Sequence, residues 1–205
     1  MSPQGKAYTA TAEQVNFSPL SREMSIRGLS LQGERPQGPE TWQVAEISFR
    51  LPVRMLLVFT PLRNMVLDGK DMVDVAENVV LRNLAMTAPD NRVAVQREEI
   101  DVIRAMPFLV RQTLERHEPV DMVAATYSMG ADNTHAHFIT VDIPGPSGST
   151  RLSLKETSMR GWQGRTIDSI ALDGLEVRVD GTPGISIGHI RQEGLTLPDE
   201  DLLRR

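Results

Sequence analysis

The sequence predicts a β-rich α+β fold: a long, twisted, mostly antiparallel sheet laid out as a meander, with one main helix packed on one face. Three observations carry this. Apolar and polar residues alternate with period two over most of the 205 residues, as in "AEISFRL" and "TRLSLKE", which marks strands buried on one side. Segments rich in Gly, Pro, Asn and Asp, among them "APDN", "GADN", "PGPSGS" and "DGTPG", fall where such strands need turns. One stretch, "REEIDVIRAMPFLVRQTLERHEP", leaves period two for helical spacing. With 40% hydrophobic residues the chain has enough apolar material for a sizeable core.

Taken in order, residues 1–205 read as a single β-rich domain: a meander over 6–97, a helix at about 98–117, a second meander over 120–198 and a short polar C-terminal tail. The first meander holds "AYTATAEQVNFS", "EMSIRGLSLQGE", "WQVAEISFRLP", "MVLDGKDMVDVAENVVLRNLAMTA" and "RVAVQ". Within it "PVRMLLVF", residues 52–59, opens on proline and reads as a helix of about two turns or as a buried strand. In the main helix Ile100, Ile103, Met106, Leu109 or Val110, and Leu114 recur at helical spacing. Acids such as Glu98 and Glu99 suit its first turn, and His117 with Pro119 suits its end. Pro107 is expected to kink it or split it. The second meander holds "VDMVAATYSMG", "AHFITVDIP", "TRLSLKETSMRGW", "IDSIALDGLEVRVDG" and "GISIGHIRQEGLTLP".

A degenerate repeat runs through the strands. "IRGLSL" (26–31), "LRNLAM" (81–86), "LDGLEV" (172–177) and, with two extra residues, "IRQEGLTL" (190–197) share one design. Its step of three from the first apolar residue to the leucine breaks strict alternation, so the Gly or Asn inside it is expected to mark a bulge.

Composition removes several classes of function. A net charge of -5, with few aromatics, offers neither the basic surface nor the stacking platform that nucleic acid needs, so no nucleic-acid partner is expected. The absence of cysteine excludes disulfides, thiol chemistry and cysteine-ligated metals. Gly184-Ile185-Ser186-Ile187-Gly188 fits G-x-S-x-G, but that motif works on a sharp strand-to-helix turn with an acid and then a histidine following. Ser186 is instead flanked by β-branched residues in an alternating segment, and His189 precedes Asp199 and Asp201. It reads as a strand serine, and no catalytic residue is assigned. His135 and His137 would project from one face of a strand, with Asp132 or a residue of the neighbouring strand as a third candidate ligand, but a polar strand end with two solvent-facing histidines explains "NTHAHF" better. Neither a metal site nor a cofactor is expected.

"AEQVNFSPLSREMSIRGLSLQG", followed by "WQVAEISFRLPVRMLLVFTPLRNMVLDGKDMV", resembles the AsmA-like group of bacterial envelope proteins over roughly the first ninety residues. Phe17 and Pro19, then Ile26, Leu29 and Leu31, then Leu56 and Leu57, then Leu67, Asp68 and Gly69 hold the positions of its short phrases. The resemblance implies a non-enzymatic periplasmic domain, anchored to the inner membrane, that handles lipid or maintains the envelope. It implies phospholipid or another acyl-chain ligand, and leaves an envelope protein partner open. "MSPQGKAY" carries no apolar anchor, so the membrane is expected only through a segment outside these 205 residues. A scaffold domain that binds another protein and no lipid is the alternative. On the lipid reading, Ile47, Phe49 and Leu51 on one strand and Leu152 and Leu154 on another line the inner side of the sheet, partly covered by Ile103, Met106, Val110 and Leu114 of the helix.

Overall fold

A computed structural model describes residues 9–35, 38–116, 122–145 and 148–199. Among these, eleven strands form one sheet in which every pairing is antiparallel. The strands are β1 (Thr9–Thr11), β2 (Gln14–Ser18), β3 (Glu23–Arg35), β4 (Gly38–Arg50), β5 (Val73–Thr87), β6 (Arg92–Ala105), β7 (Met129–Gly145), β8 (Gly148–Arg160), β9 (Trp162–Gln163), β10 (Thr166–Val179) and β11 (Thr182–Thr196). The long strands follow one another in chain order across the sheet, which is the expected meander. One edge is divided between the short β1 and β2; the other is the continuous fifteen-residue β11. Asp180 and Gly181, both at positive φ, make the tight turn from β10 to β11 that "DG" between alternating strands favours.

The three-residue step of the repeat has a backbone cause. Gly28, Asn83 and Gly174 all have positive φ, between 51° and 64°, and Phe138 shares it at 51°. Each falls at a gap in the ladder. Asn83 lies between the pairs Arg82↔Arg97 and Leu84↔Val95, hence opposite Gln96, and Gln96 lies opposite Phe138 on β7. The same reading places Gly28 opposite Ala45, Phe138 opposite Lys155, and Gly174 opposite Lys155 and Gly188. One line therefore crosses the sheet from β3 to β11, with left-handed residues on β3, β5, β7 and β10. The register is unchanged across the line, so this is a crease shared by all the strands rather than a bulge with an extra residue. A second level repeats it five residues along, with Asn78 and Asn133 at positive φ on either side of Asp101, whose carboxylate accepts a 2.7 Å bond from the Asn133 amide.

At each crease two successive residues face outward, as the exposed pair Arg82–Asn83 shows. The chain then returns to the inner face one residue late. Inner positions consequently step by two and three: Val93, Val95, Glu98, Ile100, Ile103 and Ala105 on β6, or Val79, Leu81, Leu84 and Met86 on β5. This corrects the helix expected over 98–117. Residues 98–105 are the second half of β6, and their i, i+3 spacing comes from a creased strand and not from helical winding. Pro107 sits at the first position of a short helix, α3 (Pro107–Arg111), where its missing N–H costs nothing, and a π-turn continues to Arg116. His117 and Pro119 lie outside the described residues. Two further expectations change. "VDMVAATYS" supplies helix α4 (Met122–Ser128) in place of a strand, and "GADN" is part of β7, its Asn133 serving the second crease in place of a turn.

The helices gather at one end of the sheet. Between β4 and β5 lie α1 (Val53–Leu56), a 3₁₀ turn (Leu57–Phe59) and α2 (Asn64–Leu67); the β5 strand expected from Met65 begins only at Val73. With α3 and α4 they bury Met55, Val58, Val66, Leu67, Leu109, Val110 and Ala125 against the strand ends at Val73 and Ala105. Arg111 ties α3 to α2 through Asp68 at 2.6 Å. The expected helix on the sheet face is thus a cap over the sheet's end.

Candidate functional site

Directly opposed residues of an antiparallel pair share a face, so the register sorts the sheet into two surfaces. Following Ile47 sideways gives Val15, Ile26, Ile47, Leu81, Glu98, Ala136, Thr157, Leu172 and Ile190. The next row beyond the crease, Leu29, Val44, Leu84, Val95, Ile139, Leu154, Leu175 and Ile187, is wholly apolar. Two more rows run beside them, one through Met24 and Phe49 and, past a register shift between β4 and β5, Val79, Ile100, Thr134 and Met159, the other through Leu31, Trp42, Met86, Val93, Val141 and Leu152. The opposite face carries the charge. Glu46 lies 3.6 Å from Arg27 and 3.5 Å from Arg82, Asp142 pairs with Arg151, and Asp173 lies 2.7 Å from His189. These pairs are largely exposed and each contributes little to stability, but together they keep that face in water.

The sequence-predicted lining residues divide. Ile47, Phe49, Leu152 and Leu154 lie on the apolar face. Ile103 also lies there, but on β6, between Ala76 and Ala131. Leu51 does not: β4 ends at Arg50, and both backbone groups of Leu51 bond to Arg22, at 2.8 and 2.9 Å. Met106 precedes α3 and donates its N–H to the Ser128 carbonyl, Val110 is buried in the end cap, and Leu114 stands 38% exposed on the π-turn. The expected helical stripe is therefore divided between a strand and the cap and covers none of the apolar rows.

Most of the apolar face is half-buried by its own side chains, and its margins are open. Val15 and Phe17 at one edge and Ile185, Ile187 and Ile190 at the other are 36–58% exposed. The accessible surface, 13058 Å² for 22.8 kDa, exceeds the roughly 9,600 Å² of a compact monomer of that mass.

Glu98 is the feature that sequence reasoning misplaced. Glu98 and Glu99 are not a helix start; on β6 they point to opposite faces, Glu99 outward beside Arg97 and Glu98 into the apolar row between Leu81 and Ala136. Burial pushes the Glu98 carboxyl above the ordinary range for a glutamate. It has no hydrogen-bond or ion-pair partner among the described residues. In the adjacent row Thr134, 9% exposed, buries a hydroxyl that likewise has no hydrogen-bond partner among them.

The other candidates lie on the polar face. Ser186 is mid-strand opposite Glu176, with no turn around it. His135 and His137 flank Glu156 at 3.7 and 4.0 Å. Asp132 is held by both Arg104 nitrogens at 2.8 and 2.5 Å, which keeps its carboxyl below the usual range. Among the described residues no group of three or more His, Asp or Glu side chains is placed to hold a metal ion, and no helix is long and apolar enough to cross a membrane. Comparison with known proteins gives no matching family model, no matching curated protein and no matching solved structure.

Proposed function

We propose that this chain is a non-enzymatic lipid-handling module of AsmA-like kind, which holds acyl chains on its apolar sheet face. The observation that carries the reading is an apolar surface four rows deep that runs across the sheet with no helix of the described residues over it and with exposed isoleucines at its margin. Its exposed margins are unfavourable in water and are where such a face would meet a ligand. Acyl chains fit it because they need few polar partners, and each methylene they bury contributes about 0.8 kcal/mol. A periplasmic setting and an inner-membrane anchor belong to the same proposal and rest on the resemblance of the first ninety residues.

A second reading, a scaffold that binds an envelope protein, is favoured by β11, an edge strand of fifteen residues whose alternate backbone groups face outward toward a partner strand. The test is lipid extraction and native mass spectrometry on protein purified without detergent, beside Phe49→Asp. Co-purified or added lipid on the wild type, reduced in the variant, supports the lipid reading. No lipid on the wild type leaves the scaffold.

A further inference from the structure

We infer that the apolar face selects a long-chain amine, an amphiphile whose cationic nitrogen adjoins its chain, and binds that nitrogen at Glu98 and Thr134. The inference rests on the lipid reading above and names the ligand's chemistry.

Glu98 stands mid-strand in β6, between Leu81 and Ala136 in its own row. Along the strand its neighbours on that face are Val95 and Ile100. A neutral chain laid across this row would bury a carboxylate with nothing to pair it, an unfavourable arrangement. Thr134 belongs to the next row through Ile100↔Thr134, so it is the diagonal cross-strand neighbour of Glu98, within reach of a shared small group. Its hydroxyl is buried and without a hydrogen-bond partner among the described residues. A carboxylate that accepts and a hydroxyl that also accepts, both vacant and both walled by aliphatic side chains, suit an ammonium, which has three donors and no acceptor. Charge-assisted bonds of this kind are the stronger ones in an apolar setting.

Charge sorts the alternatives. No Lys, Arg or His occupies the four apolar rows. A fatty acid would therefore bring a second carboxylate toward Glu98 with no cation to receive it. A phosphoethanolamine head would bring an anionic phosphate along with its amine. The nitrogen of a long-chain amine, cationic at neutral pH as an ordinary alkylammonium is, brings neither.

The experiment is calorimetric titration of the delipidated chain at pH 7.5 with tetradecylamine, tetradecanol, tetradecanoic acid and lysophosphatidylethanolamine, each below its solubility or micellar limit. Tetradecylamine is expected to bind about tenfold tighter than tetradecanol, and tetradecanoic acid weakest. Glu98→Gln is expected to abolish the preference for the amine while tetradecanol binds at least as tightly as to the wild type, since no carboxylate is then buried beneath it, which also shows that the variant is folded. Thr134→Val should reduce the preference in part.

Equal binding of all four chains would leave the lipid reading standing and overturn the inference, as would an amine preference that survives Glu98→Gln. A Glu98-dependent gain seen only with lysophosphatidylethanolamine would overturn the choice of a phosphate-free amine. No binding of any chain would reject both readings.

Discussion

If left-handed residues make the crease, adding a Cβ at its Gly174 and at the left-handed Gly194, which lies off that line opposite Asp168, must have unequal and calculable effects. Gly174 and Gly194 have nearly the same backbone, φ +64° and +65°, in different surroundings. An L-residue with a Cβ in this conformation costs roughly 1–2 kcal/mol, and alanine returns about 0.4–1 kcal/mol by restricting the unfolded chain. At Gly194 a Cβ meets nothing within 4 Å, so Gly194→Ala should lose only about 0.5–1 kcal/mol net. At Gly174 the same Cβ would stand 2.9 Å from the Lys155 Cβ, the root of a side chain on the neighbouring strand, which cannot swing aside. Separating β10 from β8 there adds about 1–3 kcal/mol, for a total of about 1.5–4 kcal/mol. With a urea slope near 2 kcal/mol/M, Gly174→Ala should lower the unfolding midpoint by about 1 M or more and Gly194→Ala by less than about 0.5 M. Trp42 in the sheet and Trp162 near the cap provide two fluorescence probes. Equal shifts for the two variants, or a wild-type midpoint for Gly174→Ala, would refute the steric and conformational account together.

Phe138 holds a left-handed crease position with its ring 59% exposed, so Phe138→Asn should relieve backbone strain while losing little burial. A gain of up to about 1 kcal/mol, or about 2–4 °C in thermal midpoint, is expected; a lower midpoint would show that the ring packs. At Glu98 burial raises the folded pKa above the unfolded one. The stability linked to its proton is therefore complete below the ordinary glutamate range and is lost as pH rises through the raised value. Glu98→Gln should match the wild type in urea near pH 4 and exceed it near pH 8, and a constant difference across that range would contradict the placement. Asp132 has the opposite sign: the Arg104 hydrogen bonds lower its folded pKa, so its contribution is present above the ordinary aspartate range and lost as pH falls through the lowered value. Asp132→Asn should lower stability at pH 7 by a small amount, since the pair is partly exposed, and converge on the wild type in acid.

The meander was legible because period two survives between creases. "AEISFRL", "TRLSLKE" and "GISIG" each lie within or beside one straight segment and read correctly as strands. The helix was misread where two creases fall close together on one strand. Between Val95 and Ile103 the inner positions step three, two and three, and any window reaching from Glu98 through Ile103 to Met106 and Val110 matches helical spacing about as well as strand spacing. Short crease intervals imitate helix most where the crease residues are not Gly or Asn. On β6 they are Gln96 and Asp101, and the left-handed residues stand on the neighbouring strands β5 and β7. The signal for the crease on β6 was thus present in the chain, but on other strands, as "LRNLAM" and its relatives.

The same displacement explains why the apolar face could be anticipated and its polar centre could not. Ile47, Phe49, Leu152 and Leu154 identify themselves by local alternation, because a strand's own pattern tells which residues share its face. Glu98 and Glu99 are adjacent in sequence, and nothing local says which of the two turns inward. That is settled by the pairs Leu81↔Glu98 and Glu98↔Ala136, formed with residues 17 and 38 positions away. Thr134, directly after the segment that composition marks as a turn, becomes an inner residue only because Asn133 takes the left-handed conformation and sets the parity of β7 beyond it. A carboxyl from a segment expected as helix and a hydroxyl from one expected as a polar strand end are thus placed as diagonal neighbours by the crease itself. If the crease is altered, as Asn133→Val would do by placing a β-branched residue at positive φ, the amine preference expected at Glu98 should fall while binding of the uncharged tetradecanol chain, spread over rows beyond this point, falls less. Equal loss of both would mean that Glu98 and Thr134 are passive members of the apolar face.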